Sequence, residues 1–165
     1  MRKLVLIAAL MTLTGALTNP RAQRNDDPVT VQVCHITMKI PSNLKRNRRE
    51  GVDSCIAEFE SRDMLLSIDY GWYGGTATES DDRMGFKERS FPVGGRTGTL
   101  ATYVNNSLYA RKHSKRKYVA HLYVVVRQAT TEPPTTTSLM MTVSGRSAKE
   151  LAIADRIFRS IRFEQ

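Results

Sequence analysis

Residues 138–163 read SLMMTVSGRSAKELAIADRIFRSIRF, and the change of period within this stretch indicates the fold class. The first eight residues have the composition of a β-strand. The second part has apolar residues at helical spacing: Leu151, Ala154, Ile157, Phe158 and Ile161. Such an amphipathic helix needs an apolar surface to pack on. Because strands supply that surface earlier in the chain, the sequence predicts an α+β fold with a C-terminal amphipathic helix packed on one face of a sheet.

The start of this helix is predicted by a capping box. Ser147 is the expected N-cap, and Glu150, three residues later, is expected to reach back to it. Arg159 and Arg162 lie near the C-terminus of the segment, where cations complement the helix dipole. The capping box therefore predicts that the helix begins directly after the strand.

Alternating apolar residues predict an antiparallel sheet of about six strands. Residues 54–72 fit a hairpin, with a polar turn at 61–63. Residues 118–128 are apolar on both faces, which favours a central strand. Gly94 and Gly95 suit a tight hairpin turn. The apolar phase slips near Cys34, which indicates a bulge or a strand break.

The polar stretch TATESDDRMGFKERS at 76–90 has no clear period. We therefore expect it to be a long surface loop. Glu79, Asp81 and Asp82 within it carry oxygen ligands, but their spacing does not fit a calcium-binding loop.

The N-terminus predicts export. Arg2 and Lys3 precede an apolar run from Leu4 to Leu17, as in a secretory signal peptide. The run is too short for a membrane-spanning helix. We expect a signal peptide over residues 1–23, with cleavage after Ala16, after Thr18 or near Ala22–Gln23, and a single α+β domain over 24–165. The expected location is periplasmic or secreted.

The two cysteines are Cys34 and Cys55, and an exported chain folds where thiols tend to pair. A C-x-x-C redox pair and the short-spaced ligand pairs of a zinc site are both absent from the sequence. We therefore predict a structural disulfide. Closing a loop of this size removes about 3 kcal/mol of conformational freedom from the unfolded chain.

The chain is basic, with 25 Lys+Arg against 16 Asp+Glu and a formal charge of +9. The charge favours anionic partners, such as anionic lipid, lipopolysaccharide or acidic glycan. Nucleic acid is not expected for an exported chain. The predicted anion-binding residues form two clusters: Lys45, Arg46, Arg48 and Arg49 in the first, and Arg111, Lys112, Lys115, Arg116 and Lys117 in the second. If both clusters lie at the same end of the sheet, their fields add.

The sequence contains no nucleophile elbow, phosphate-binding loop or dinucleotide fingerprint. We therefore predict no catalytic residue, no metal site and no cofactor. His121 is expected on the outer face of a strand or in the core with its hydrogen bonds satisfied. Two alternatives stay open. One is an envelope hydrolase that uses the carboxylates of Glu58, Glu60 or Asp69 near Trp72 and Tyr73, and the other is an exported enzyme inhibitor.

The order of these segments resembles that of the small exported PsbP-like domains. The similarity rests on the strand that ends MKIP, the basic loop, the hairpin, the GGR turn and above all the ending SLMMTVSGRSAKELAIADRIFRSIRF. It covers residues 29–165 and contains no catalytic motif. The sequence departs from that layout at 73–92, where such domains often carry a helix. The resemblance implies no enzyme activity, and we expect a non-enzymatic accessory or binding protein.

Overall fold

The computed structural model describes residues 27–48, 51, 53–72, 75–108, 115–128 and 136–164, so the expected signal peptide at 1–23 lies outside the described residues. The elements wholly within them are ten strands and a helix: β1 (Pro28–Val33), β2 (Ile36–Pro41), β3 (Lys45–Asn47), β4 (Cys55–Glu60), β5 (Met64–Gly71), β6 (Arg83–Val93), β7 (Arg96–Asn105), β8 (Tyr118–Gln128), β9 (Thr136–Gly145), α1 (Lys149–Arg159) and β10 (Arg162–Phe163).

The strands form two antiparallel sheets. The larger has the order β3-β4-β5-β9-β8-β7-β6, and the smaller has the order β1-β2-β10. An antiparallel sheet with a C-terminal helix is therefore confirmed, and so is the central position of β8. The expected number of about six strands is wrong, because seven strands form the main sheet and three form a separate one. The smaller sheet arises because β10 pairs with the free edge of β2.

The phase slip near Cys34 is a two-residue turn between β1 and β2. Cys34 and His35 both have positive φ, at 51° and 59°. Two consecutive positive φ values suit the twist of a tight hairpin. Gly94 and Gly95 make the corresponding turn between β6 and β7, as the sequence predicts, with φ of 55° and 79°.

Helix α1 packs on β8 and β9 in the middle of the large sheet, and also on β2 of the small sheet. The carboxylate of Glu150 accepts a hydrogen bond of 2.7 Å from the backbone N–H of Ser147, which is the expected half of the capping box. The N-cap itself is Ala148, one residue later than predicted, and it makes no side-chain cap. Element boundaries often differ by one residue in this way.

The hydrophobic core lies between the large sheet, the helix and the small sheet. We call the sheet face toward the helix the inner face and the opposite one the outer face. Leu66, Leu122 and Met141 are buried on the inner strands. Phe158 of the helix meets Phe91 of β6 edge to face, with ring centroids 6.4 Å apart. The helix thus belongs to one continuous core that reaches the edge strand β6 of the large sheet.

The expectation of a surface loop over 76–90 is wrong from Arg83 onward, because β6 begins there. β6 is an edge strand whose first eight residues are exposed or half-buried, so they lack the apolar alternation that marks a strand with a buried face. Residues 75–82 have no regular secondary structure, and Ala77 among them is buried.

Candidate functional site

The second basic cluster reaches across the end of the large sheet. Arg116 directly precedes β8, and its guanidinium lies 2.7 Å from a carboxylate oxygen of Glu60 at the end of β4. It also donates a hydrogen bond of 2.6 Å to the carbonyl of Ser61. β8 and β4 are separated by β9 and β5, so Arg116 spans three strand spacings, roughly 14 Å. The segment before β8 is therefore tied to the turn between β4 and β5.

The first basic cluster meets the same carboxylate from the other side. Lys45 of β3 is the register partner of Glu60. The side-chain amide of Asn47 donates a hydrogen bond of 3.1 Å to the second carboxylate oxygen of Glu60. Glu60 thus joins the strand that carries the first cluster to the segment that carries the second.

This junction has a clear electrostatic consequence. The hydrogen bond from Asn47, together with the hydrogen bond and charge of Arg116, holds the pKa of Glu60 below its usual value. Glu60 therefore stays ionised at neutral pH and keeps its partners. The Arg116 side chain is only 21% exposed, because it lies along the sheet end. It acts as the anchor of the cluster.

Four cations of the two predicted clusters lie exposed beside this anchor. We call the surface formed by Arg116 and these four residues the basic end: Lys45, Arg46, Lys115 and Lys117. The ammonium of Lys117 lies 5.9 Å from the ring centroid of Tyr118. Exposed cations cost little to hold in water and are available to an anionic surface.

The structure divides the remaining predicted anion-binding residues. Arg48 is exposed and follows β3, three residues and roughly 10 Å further along the chain than Lys45. It therefore lies further from Glu60 and from the basic end. Arg49, Arg111 and Lys112 lie outside the described residues. The basic end therefore contains fewer residues than the nine that the sequence predicts to bind anions.

Glu60, one of the three carboxylates of the hydrolase hypothesis, is not brought together with Trp72. Glu58 and Asp69 line a shallow depression of about 150 Å³ on the outer face, where Ser67 donates a 3.3 Å hydrogen bond to Glu58. Glu60 is held in the junction described above. Trp72 follows the opposite end of β5, roughly 23 Å along the strand from the register partner of Glu60. Tyr73 lies outside the described residues.

His121 lies on the outer face with both ring nitrogens in hydrogen bonds, as predicted. Its Nε2 lies 3.0 Å from the carbonyl of Gly75, and its Nδ1 lies 3.0 Å from the hydroxyl of Thr142. A carbonyl only accepts, so Nε2 carries the proton and Nδ1 accepts from Thr142. Burial lowers the pKa of His121, which keeps the ring neutral. Its hydrogen bond to Gly75 ties the start of the segment 75–82 to the sheet.

The predicted disulfide between Cys34 and Cys55 is present, with a Cα–Cα distance of 5.4 Å. It links the β1–β2 turn to the start of β4, and so links the small sheet to the large one. It lies at the end of the large sheet opposite the basic end. We call this region the disulfide end.

Asn47 is the residue of this site that sequence reasoning missed, and Glu60 was considered only for the hydrolase alternative. The sequence does show their neighbours as charged, but nothing local indicates that Glu60 pairs with a cation 56 positions later. The only signal for this pairing is that Glu60 and Arg116 carry opposite charges, and many other pairs of residues in the chain do so as well.

The comparisons with known proteins leave the function to be argued from this geometry. No protein-family model matches the sequence, and no curated protein matches it. Across the described ranges, no group of three or more His, Cys, Asp or Glu side chains is placed to hold a metal ion. In that same part of the chain, no helix has the length and apolar character needed to cross a membrane.

Proposed function

We propose that this chain is a non-enzymatic binding module of the cell envelope, a PsbP-like accessory domain that is periplasmic or secreted. Its basic end adheres to an anionic envelope component. The observation that carries the proposal is the bridge from Arg116 to Glu60, which draws cations distant in the sequence to one end of the sheet.

The arrangement of charge supports adhesion to a surface. The basic end has five cations, and one of them, Arg116, is already paired with Glu60. The other four are exposed: Lys45 and Arg46 lie on β3 beside the end of β4, and Lys115 and Lys117 flank Arg116 in the chain. Each Lys or Arg near an anionic membrane surface contributes about 1 kcal/mol at low salt. Four such contributions suffice for adhesion that weakens as salt rises.

The disulfide supports the proposed location. Disulfides persist in oxidising compartments and are rare where thiols are kept reduced. Cys34 and Cys55 are paired, and no free cysteine remains in the chain. An oxidising compartment outside the cytosol is also where anionic lipid, lipopolysaccharide and acidic glycan are encountered.

The test measures binding to phosphatidylglycerol vesicles, lipopolysaccharide and heparin at rising salt. The site variant is Lys45→Ala with Lys115→Ala and Lys117→Ala. The control variant removes three exposed cations elsewhere, by Lys87→Ala, Arg127→Ala and Lys149→Ala. Both variants carry the same net charge, so a difference in their binding depends on where the removed cations lie.

We expect the site variant to lose about 3 kcal/mol of vesicle affinity, roughly 100-fold, and the control to lose far less. The ligand that shows the largest difference between the two variants identifies the anionic component. Equal losses in the two variants would mean that net charge alone governs binding, and the proposal would then be wrong.

A further inference from the structure

An open hollow of about 450 Å³ lies at the disulfide end of the large sheet. Small-molecule sites commonly have volumes of about 300–1,000 Å³. The side chains that line it and matter for its chemistry come from separate parts of the chain: His35, Asp53, Tyr70, Trp72 and Thr137. No Lys or Arg is among the described residues that line it, in contrast to the basic end.

Trp72 is the only tryptophan of the chain, and it is 61% exposed at the rim of this hollow. Tryptophan is highly buried on average, so such exposure of the ring is unusual. The preceding Gly71 allows a close approach beside it, because a Cβ there would lie 2.4 Å from the Cβ of Ser54. The glycine therefore lets the turn that carries Asp53 pack against the end of β5, next to the indole.

Two further rings line the hollow. The rings of His35 and Tyr70 have centroids 5.6 Å apart and are tilted by 53°. His35 reaches this position because the β1–β2 turn holds it at positive φ, a conformation that non-glycine residues adopt rarely. The disulfide from the adjacent Cys34 to Cys55 fixes the turn against the hollow.

Polar groups complete the lining. Asp53 contributes a carboxylate, and Ser54 and Thr137 contribute hydroxyls. A carboxylate forms strong hydrogen bonds with hydroxyl donors and repels anions. A purely apolar ligand would make no hydrogen bond with Asp53, and an anion would be repelled by it. A ligand with an apolar face and several hydroxyl groups satisfies the whole set.

We propose that this hollow binds a neutral pyranose residue of a glycan. The C–H face of the sugar ring stacks on Trp72, whose ring has a negative face toward those hydrogens. Asp53 accepts hydrogen bonds from the sugar hydroxyls, and Thr137 donates or accepts one more. The hollow lies at the opposite end of the sheet from the basic end, so this site does not depend on the proposed anionic surface.

The single tryptophan makes the test direct, because the protein has one indole N–H resonance. Trisaccharides of glucose and of N-acetylglucosamine are titrated against labelled protein, with choline and hexanoate as cationic and anionic comparisons. We expect a saturable shift of the indole resonance with at least one trisaccharide. Neither comparison compound is expected to produce it.

Variants assign the contacts by calorimetric titration of the trisaccharide that binds. Trp72→Ala is expected to lose about tenfold or more in affinity, and Trp72→Phe less. Asp53→Asn is expected to lose about tenfold, because a neutral amide is a weaker acceptor than a carboxylate. Met84→Ala, which removes an exposed apolar side chain elsewhere, is the control and should bind like the unchanged protein.

Three results would overturn the assignment: no response to either trisaccharide, a response to choline alone, or unchanged affinity in Trp72→Ala. Trp72 is exposed, so its replacement should leave the fold intact, which far-ultraviolet circular dichroism checks. Vesicle binding by Trp72→Ala should match the unchanged protein. Failure of the sugar site is thereby distinguishable from failure of the basic end.

Discussion

The two ends of the large sheet are held by different kinds of bond. At the basic end, the side chains of Asn47 and Arg116 converge on Glu60 through hydrogen bonds and charge. At the disulfide end, a covalent link between Cys34 and Cys55 fixes the β1–β2 turn to β4. The first end should therefore respond to salt and pH, and the second to reducing agents. The same sheet can thus present two surfaces whose integrity is controlled independently.

Loss of the covalent link should have the largest effect. We expect Cys34→Ala with Cys55→Ala to reduce the free energy of unfolding by about 3 kcal/mol, because 20 residues between the cysteines are no longer closed into a loop. Urea unfolding of the variant and the unchanged protein measures this loss.

The same pair of substitutions should separate the two ends. Sugar binding at the hollow is expected to fall, since His35 and Asp53 lose the link that fixes their segments. Vesicle binding at the basic end is expected to stay the same in conditions where the variant is folded. Parallel losses of both activities would show that the two ends are not independent.

Removal of the anchor at the basic end should have the next largest effect. Arg116→Ala removes one charge and also releases the segment 115–117 from Glu60 and Ser61. We expect its loss of vesicle affinity to exceed that of Lys115→Ala, which removes one exposed charge and should cost roughly fivefold.

Arg116→Lys separates charge from geometry at the same position. Lysine keeps the positive charge but lacks the rigid, planar guanidinium whose Nη2 contacts both Glu60 and Ser61. We expect its vesicle affinity to fall between those of Arg116→Ala and the unchanged protein. If Arg116→Ala and Lys115→Ala lose the same affinity, Arg116 does not anchor the surface.

Sequence periodicity is informative where a strand or helix has one buried face. β5 alternates between the core and the outer face, and α1 buries Ala154, Ile157 and Phe158, so their patterns predict them. β6 fails this test because it is an edge strand with little burial in its first eight residues. Its partner β7 supplies the hydrogen bonds, and no local pattern in 83–90 reflects that pairing.

The sites could be predicted only in part for a related reason. Local sequence identifies the basic residues and the cysteine pair, and the loop length makes their disulfide reasonable. The contact between Arg116 and Glu60 depends on the order of four strands, and the hollow around Trp72 depends on a glycine contact and on the turn at His35. Tertiary packing brings these residues together, and a single sequence does not show tertiary packing.

The smallest expected effect concerns the pH response of the basic end. The pKa of Glu60 in the folded protein lies below its usual value of 4.5, so its ionised form is favoured by folding. The resulting stabilisation is present above about pH 4.5 and is lost as the pH falls through the lower, folded-state pKa. Glu60→Gln lacks this titration, because its amide is never charged.

Thermal unfolding at a series of pH values tests this point. Near pH 7, Glu60→Gln should unfold at a lower temperature than the unchanged protein, and the difference should shrink toward pH 3 as Glu60 becomes protonated. The exposed carboxylate is screened by solvent, so the difference should also shrink at high salt. A difference that is constant across pH and salt would show that Glu60 contributes through packing, and the contrast between an electrostatic end and a covalent end would then be wrong.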